Sequence, residues 1–144
     1  MGAMDEETLR DAFAAGAIAA LISGTPSTTH ALLTGGPPLE GGLAAGSLLL
    51  PNEQRPGRLL LSAVPVHLAL SLGWALALAA VLPRRWTVAC GALAGLGIAA
   101  LDLGVIGRRF PRIRALPQAP QVADHLAYGA TVGAVLHRRR AHRT

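Results

Sequence analysis

From Leu59 to Leu82 the chain contains no lysine, arginine, aspartate or glutamate, and from Trp86 to Gly107 Asp102 is the lone charged side chain. Each run exceeds the roughly 20 apolar residues that a helix needs to cross bilayer hydrocarbon. Only Pro83-Arg84-Arg85 separates them, a tight polar turn. Backbone amides in lipid must find their partners inside the segment, so runs of this kind are read as helices. They set the expected class, an all-α integral membrane protein. A mean hydropathy of +0.43, with 51% hydrophobic and 15% charged residues, agrees with that class.

The first apolar run, Ala12 to Leu33, is also long enough to span, and Asp5-Glu6-Glu7 precede it. Acids suit a helix N-terminus, whereas a signal peptide carries positive charge there, so no cleavage is expected. Pro26 lacks an amide hydrogen and crowds the carbonyl one turn back, which predicts a kink or break at Gly24-Thr25-Pro26. Hydroxyls of Ser23, Thr25, Ser27, Thr28 and Thr29 lie close enough to satisfy the freed backbone groups. Gly16, Ala20 and Gly24 repeat at helical spacing as a small-residue packing stripe. After Pro37-Pro38, a segment of about 38–50 is too short to cross and reads as an interfacial or re-entrant helix. The polar break Arg55-Pro56-Gly57-Arg58 follows it. Val122 to Leu136, extendable through Gln121 and His137, supplies the last span. The expected architecture is a single domain, a four-helix bundle with spans at about 12–33, 59–82, 86–107 and 121–137.

Four alternating spans bring the end of the first and third, and the start of the second and fourth, to one side. Asp102, Asp124, His30 and His125 then lie a short way in from that side, with His67 deeper. His67, Ser71 and Trp74 share a helix face, as do His125, Gly129 and Gly133, with Asp124 and Tyr128 beside them. The ionisable groups within the spans therefore fall in one half of the bilayer. Such groups are costly in hydrocarbon and normally face partners or water, so His30, His67, Ser71, Asp102, Asp124 and His125 form the expected polar cluster.

Three chemistries are open to it. A histidine–carboxylate network can pin helix register. It can also handle protons or ions, because histidine titrates near neutral pH. The third is a transition-metal site, catalytic in one version, with His67 and His125 and either Asp102 or Asp124 as candidate ligands. Asp124 and His125 are adjacent in sequence, so they point about 100° apart and are not a ligand pair on one face. No HExxH, CxxC, P-loop or GxSxG occurs, so the common enzyme signatures are missing and a non-enzymatic role is expected. Cys90, the single cysteine, allows no intrachain disulfide.

His67 and Ser71, the turn Pro83-Arg84, Gly91 and Gly95, Leu116-Pro117, and Asp124-His125 followed by Gly129 together resemble YagU-like bacterial inner-membrane proteins. The resemblance covers about Val64 to Gly133. It implies a multi-pass inner-membrane protein without established biochemical function. SGTPSTTHALLTG and the LEGG segment lie outside that pattern.

All 13 basic residues are arginine, and the Ala/Gly/Arg bias points to a high-GC bacterial genome. The arginines flank the apolar runs, which is the layout of topology signals, so no nucleic-acid partner is expected. Arg10, Arg84, Arg85 and the tail Arg138, Arg139, Arg140 and Arg143 lie on the side of the termini. Arg55, Arg58, Arg108, Arg109, Arg112 and Arg114 lie on the other. The balance tips toward cytoplasmic termini. The expected partner is the lipid bilayer, with a homo-oligomer or a larger membrane complex served by the same glycine faces. Met1-Gly2-Ala3-Met4 offers two starts, the first three residues reading as a cloning remnant.

Overall fold

The computed structural model describes residues 4–142, which excludes the Met1–Ala3 stretch and the tail residue Arg143. The fold is all-α: helices joined by turns, with no strand among the described residues. Helix α1 (Glu6–Ile22) opens on Asp5, whose carboxylate accepts from the Thr8 amide at 2.7 Å. It stops at Ser23, and α2 (Thr25–Thr34) starts afresh with Pro26 in its first turn. The apolar run expected at 12–33 is thus two helices, broken where Pro26 cannot donate to Ile22. Gly35, at φ 70°, ends α2 in the left-handed conformation that glycine adopts without strain.

The short helix is shorter than expected: α3 covers Glu40–Gly46, followed by turns. Helix α4 (Pro56–Val81) begins earlier than the apolar pattern suggested, because Pro56 at the first helical position fits the fixed φ of a helix start. The Arg55–Arg58 stretch is a helix start rather than a break. At the next turn Thr87 is buried and donates to the carbonyls of Pro83 at 2.9 Å and Arg84 at 3.0 Å. Trp86 is exposed there, in a left-handed conformation at φ 59° that a bulky residue rarely takes.

Helix α5 (Thr87–Leu101) continues through a π-helical turn (Asp102–Ile106) and a 3-10 turn (Gly107–Arg109). The wider turn is marked by the Gly107 amide donating to the Asp102 carbonyl, five residues back. Helix α6 (Pro111–Ala115) then leads into α7 (Gln118–Ala141). Two of the helical stretches, Pro56–Val81 and Thr87–Arg109, are long and apolar enough to cross a membrane.

Helix α7 is central. It packs on α5 along one side and on α1 along another, α4 packs on α1, and α3 lies against α4. The core sets small residues against larger ones: Ala12, Ala15 and Ala19 of α1 meet Ala75, Leu78 and Ala79 of α4 and Tyr128, Val132 and Leu136 of α7. Glycines carry the α5–α7 contact. A Cβ on Gly95 would lie 2.2 Å from the His125 carbonyl oxygen, and one on Gly129 would lie 2.1 Å from that of Gly91. The Gly91/Gly95 face is therefore consumed within the chain. Of the expected stripe on the first helix, Gly16 packs against Ala75 and Leu72. Gly24 has open space instead and takes no part in packing.

Candidate functional site

The polar residues gather at the end of the bundle where α1 gives way to α2, and most act on exposed backbone. At the end of α1 the last carbonyls have no partner in their own helix. His67, reaching from α4, meets one of them: its Nε2 lies 2.8 Å from the Ala20 oxygen and donates to it. At the start of α2 the first amides are equally orphaned, and Gly24 at the cap has no side chain. Asp124, from α7, fills that place by accepting from the Ser27 amide at 2.8 Å. A carboxylate at this position also meets the positive end of the helix dipole. Both faces of the break are thus capped from other helices. Among the local hydroxyls, Ser27 Oγ reaches the Gly24 carbonyl at 3.4 Å.

His125, one residue on from Asp124, points a different way. Its Nδ1 is 2.8 Å from the Gln121 carbonyl, and its Nε2 is 3.4 Å from Asp102 Oδ2 on the π-helical turn. The carbonyl only accepts, so Nδ1 carries a hydrogen. Nε2 then faces a carboxylate oxygen, and two lone pairs would repel unless a further proton lies between them. That proton resides on the ring as imidazolium or on the carboxyl as acid. The two side chains are 21% and 19% exposed, partly shielded yet reachable by water.

Ser71 belongs to a third contact. The Tyr128 hydroxyl donates to its backbone carbonyl, tying α7 to α4 in the buried core. His30 stands apart from the others on the exposed side of α2, on the wall of a cavity that also includes Ser27 and Gln121. The expected cluster is thus a set of neighbouring contacts: Asp102 with His125, Asp124 with Ser27, His67 with Ala20, Tyr128 with Ser71. Among the described residues no three His, Cys, Asp or Glu side chains group as a metal shell. No family model, curated protein or solved structure matches this chain.

Sequence reasoning missed the opposite end of the bundle. Asp11 lies inside α1 and is only 2% exposed, so buried acid is not confined to the end that holds Asp102 and Asp124. Its Oδ1 is 3.3 Å from Arg139. Arg140 beside it donates to the Leu82 carbonyl at 3.0 Å and the Ala79 carbonyl at 2.9 Å, closing the C-terminus of α4. An available signal was the position of Asp11: it falls on the Ala12/Ala15/Ala19 side of α1, not on a solvent face.

Proposed function

We propose that the chain is a small, non-enzymatic, multi-pass protein of a bacterial inner membrane that responds to protons through the His125–Asp102 pair. In this reading α1 with α2, α4, α5 with its π and 3-10 extension, and α7 are the four spans. Helix α3 lies at the interface, and the termini are cytoplasmic. The likeness of Val64–Gly133 to YagU-like proteins belongs to the same proposal, as does the bilayer as partner.

The observation that carries the function is the committed Nδ1 of His125. With that hydrogen held by Gln121, the contact to Asp102 exists only while a further proton is bound. Its loss sets a lone pair against a carboxylate and pushes α7 away from the π-helical turn. Single π-helical turns occur frequently at functional sites. Asp124, adjacent in sequence, holds the start of α2, so a movement of this part of α7 is felt at the helix break. Membrane placement is supported by the apolar windows of the two long stretches, each only 22% buried inside the fold; the core helix of a water-soluble protein is mostly covered.

The test is amide hydrogen exchange of the protein in lipid nanodiscs across the histidine titration range. Protection at residues 102–107 and 23–28 changes with pH in the wild type, and Asp102→Asn, which keeps the side-chain volume, flattens that dependence. The same pH dependence in Asp102→Asn as in the wild type would overturn the reading.

A further inference from the structure

We propose that the cavity between α2, the α2–α3 connection, α6 and the start of α7 binds the headgroup of a phosphoethanolamine phospholipid. The cavity measures about 450 Å³, within the range of small-molecule sites. Ala31, Pro37 and Leu116 supply apolar wall, interrupted by Arg112, His30 and Glu40. The inference rests on the membrane placement above, since it takes the ligand from a bilayer.

Charge pattern selects the ligand. Arg112 and Glu40 are both half-buried on the same cavity, yet neither is in an ion pair among the described residues. Arg112 extends toward Gln54 Oε1 at 3.5 Å, a long contact, and the Glu40 carboxylate has no hydrogen-bond partner among the described residues. Other acids of the chain are matched: Glu6 with Arg10, Glu53 with Arg58, Asp11 with Arg139. A cation and an anion that line one cavity without pairing with each other complement a ligand that carries both charges. A phosphodiester accepts from the Arg112 guanidinium and from the His30 ring, while an ammonium donates to Glu40. A primary ammonium is required, because a trimethylammonium presents methyl groups to the carboxylate and a glycerol headgroup brings no positive charge.

A lipid fits better than a water-soluble zwitterion because of α2. None of its residues is buried, and Leu32 and Leu33, next to His30 and Ala31, are 65% and 82% exposed. They leave two exposed apolar side chains on the helix that lines the cavity, against which acyl chains can lie.

Native mass spectrometry of the protein in non-ionic detergent, titrated with phosphatidylethanolamine, phosphatidylcholine and phosphatidylglycerol of matched chains, tests this. The wild type retains the ethanolamine lipid about fivefold better than the other two, the scale of one partly exposed charge pair. Glu40→Gln removes its advantage over phosphatidylglycerol, Arg112→Gln weakens all three lipids, and Arg112→Lys keeps most of the binding and so controls for folding. Equal retention of the three lipids by the wild type, or an unchanged preference in Glu40→Gln, would overturn the proposal. A second arm separates it from the membrane reading: chemical-shift mapping with glycerophosphoethanolamine, which has no acyl chains. A protein that stays soluble without detergent and still binds this headgroup around Arg112 and Glu40 overturns the lipid as source while upholding the recognition chemistry. A bilayer-inserted protein indifferent to ethanolamine upholds the membrane reading and overturns the headgroup site.

Discussion

Asp124 and His67 supply, from α7 and α4, the caps that the residues around Gly24 do not provide. Removing the carboxylate leaves the Ser27 amide without its acceptor, so Asp124→Ala should lower stability by about 1–2 kcal/mol, the usual worth of an N-cap. Asp124→Asn keeps an acceptor oxygen but loses the charge, and should cost roughly half as much. Ser27→Ala, which keeps the amide, should cost less than Asp124→Ala. Thermal unfolding of the three variants in one detergent checks the order. A carboxylate of another kind starts α4. Glu53 accepts from the backbone amides of Arg55 at 2.9 Å and Gln54 at 3.0 Å and from the Arg58 guanidinium at 3.3 Å. The Arg55 amide above all, with the Gln54 amide and the Arg58 guanidinium, outweighs the opposing desolvation and holds its carboxyl below the ordinary range. A lowered folded-state value means that the contribution is present above the unfolded carboxylate range and lost as pH falls through the folded one. Amide protection at the first turn of α4 should therefore drop on acidification, and Glu53→Gln should remove that dependence.

Among the elements, the α5–α7 pair is the tightest, because glycine lets two backbones approach to within a Cβ of one another. Gly95→Ala places a methyl 2.2 Å from the His125 carbonyl, a backbone atom that cannot swing aside. The helices must separate, and the expected loss is about 3 kcal/mol or more, at the upper end of overpacking effects. Gly97 lies two residues on with nothing within 4 Å of its added Cβ, so Gly97→Ala should instead stabilise by about 0.5–1 kcal/mol through helix propensity. Denaturant or thermal unfolding of the pair should show opposite signs. The glycine face was legible in the sequence, since four-residue spacing of small residues says that something comes close, and Pro26 announced the break in the first run. What covers that break was not legible. Asp124 and Ser27 are 97 residues apart, and only the placement of α7 against α2 joins them. The π-helical turn left no trace either, because DLGVI differs little from an ordinary helical segment. Asp11 escaped notice because an acid in an early helical turn is expected to serve the dipole, whereas its burial depends on Arg139 at the far end of the chain.

For the whole molecule the decisive matter is what solvent surrounds the apolar belt. Phe13, Leu21, Leu61, Val64 and Leu93 all face outward, at 49%, 87%, 74%, 57% and 67% exposure, while the core beneath them holds alanines beside a few larger side chains such as Leu78, Val132 and Leu136. Water and lipid make opposite demands on one substitution. Leu93 sits near the middle of α5 with its side chain on the outside, so in water Leu93→Arg would change stability by no more than about 0.5 kcal/mol, as surface changes do. In hydrocarbon an arginine at helix centre costs about 2.5–3.5 kcal/mol for insertion. Leu49, 56% exposed in the connection before α4, lies away from any helix centre, and Leu49→Arg should be close to neutral in either surrounding. The expected outcome is that Leu93→Arg reduces the alkali-resistant membrane fraction of the expressed protein several-fold while Leu49→Arg leaves it unchanged. If both variants behave like the wild type and remain in the supernatant, the apolar belt is covered by something other than lipid, and the bilayer placement falls with it.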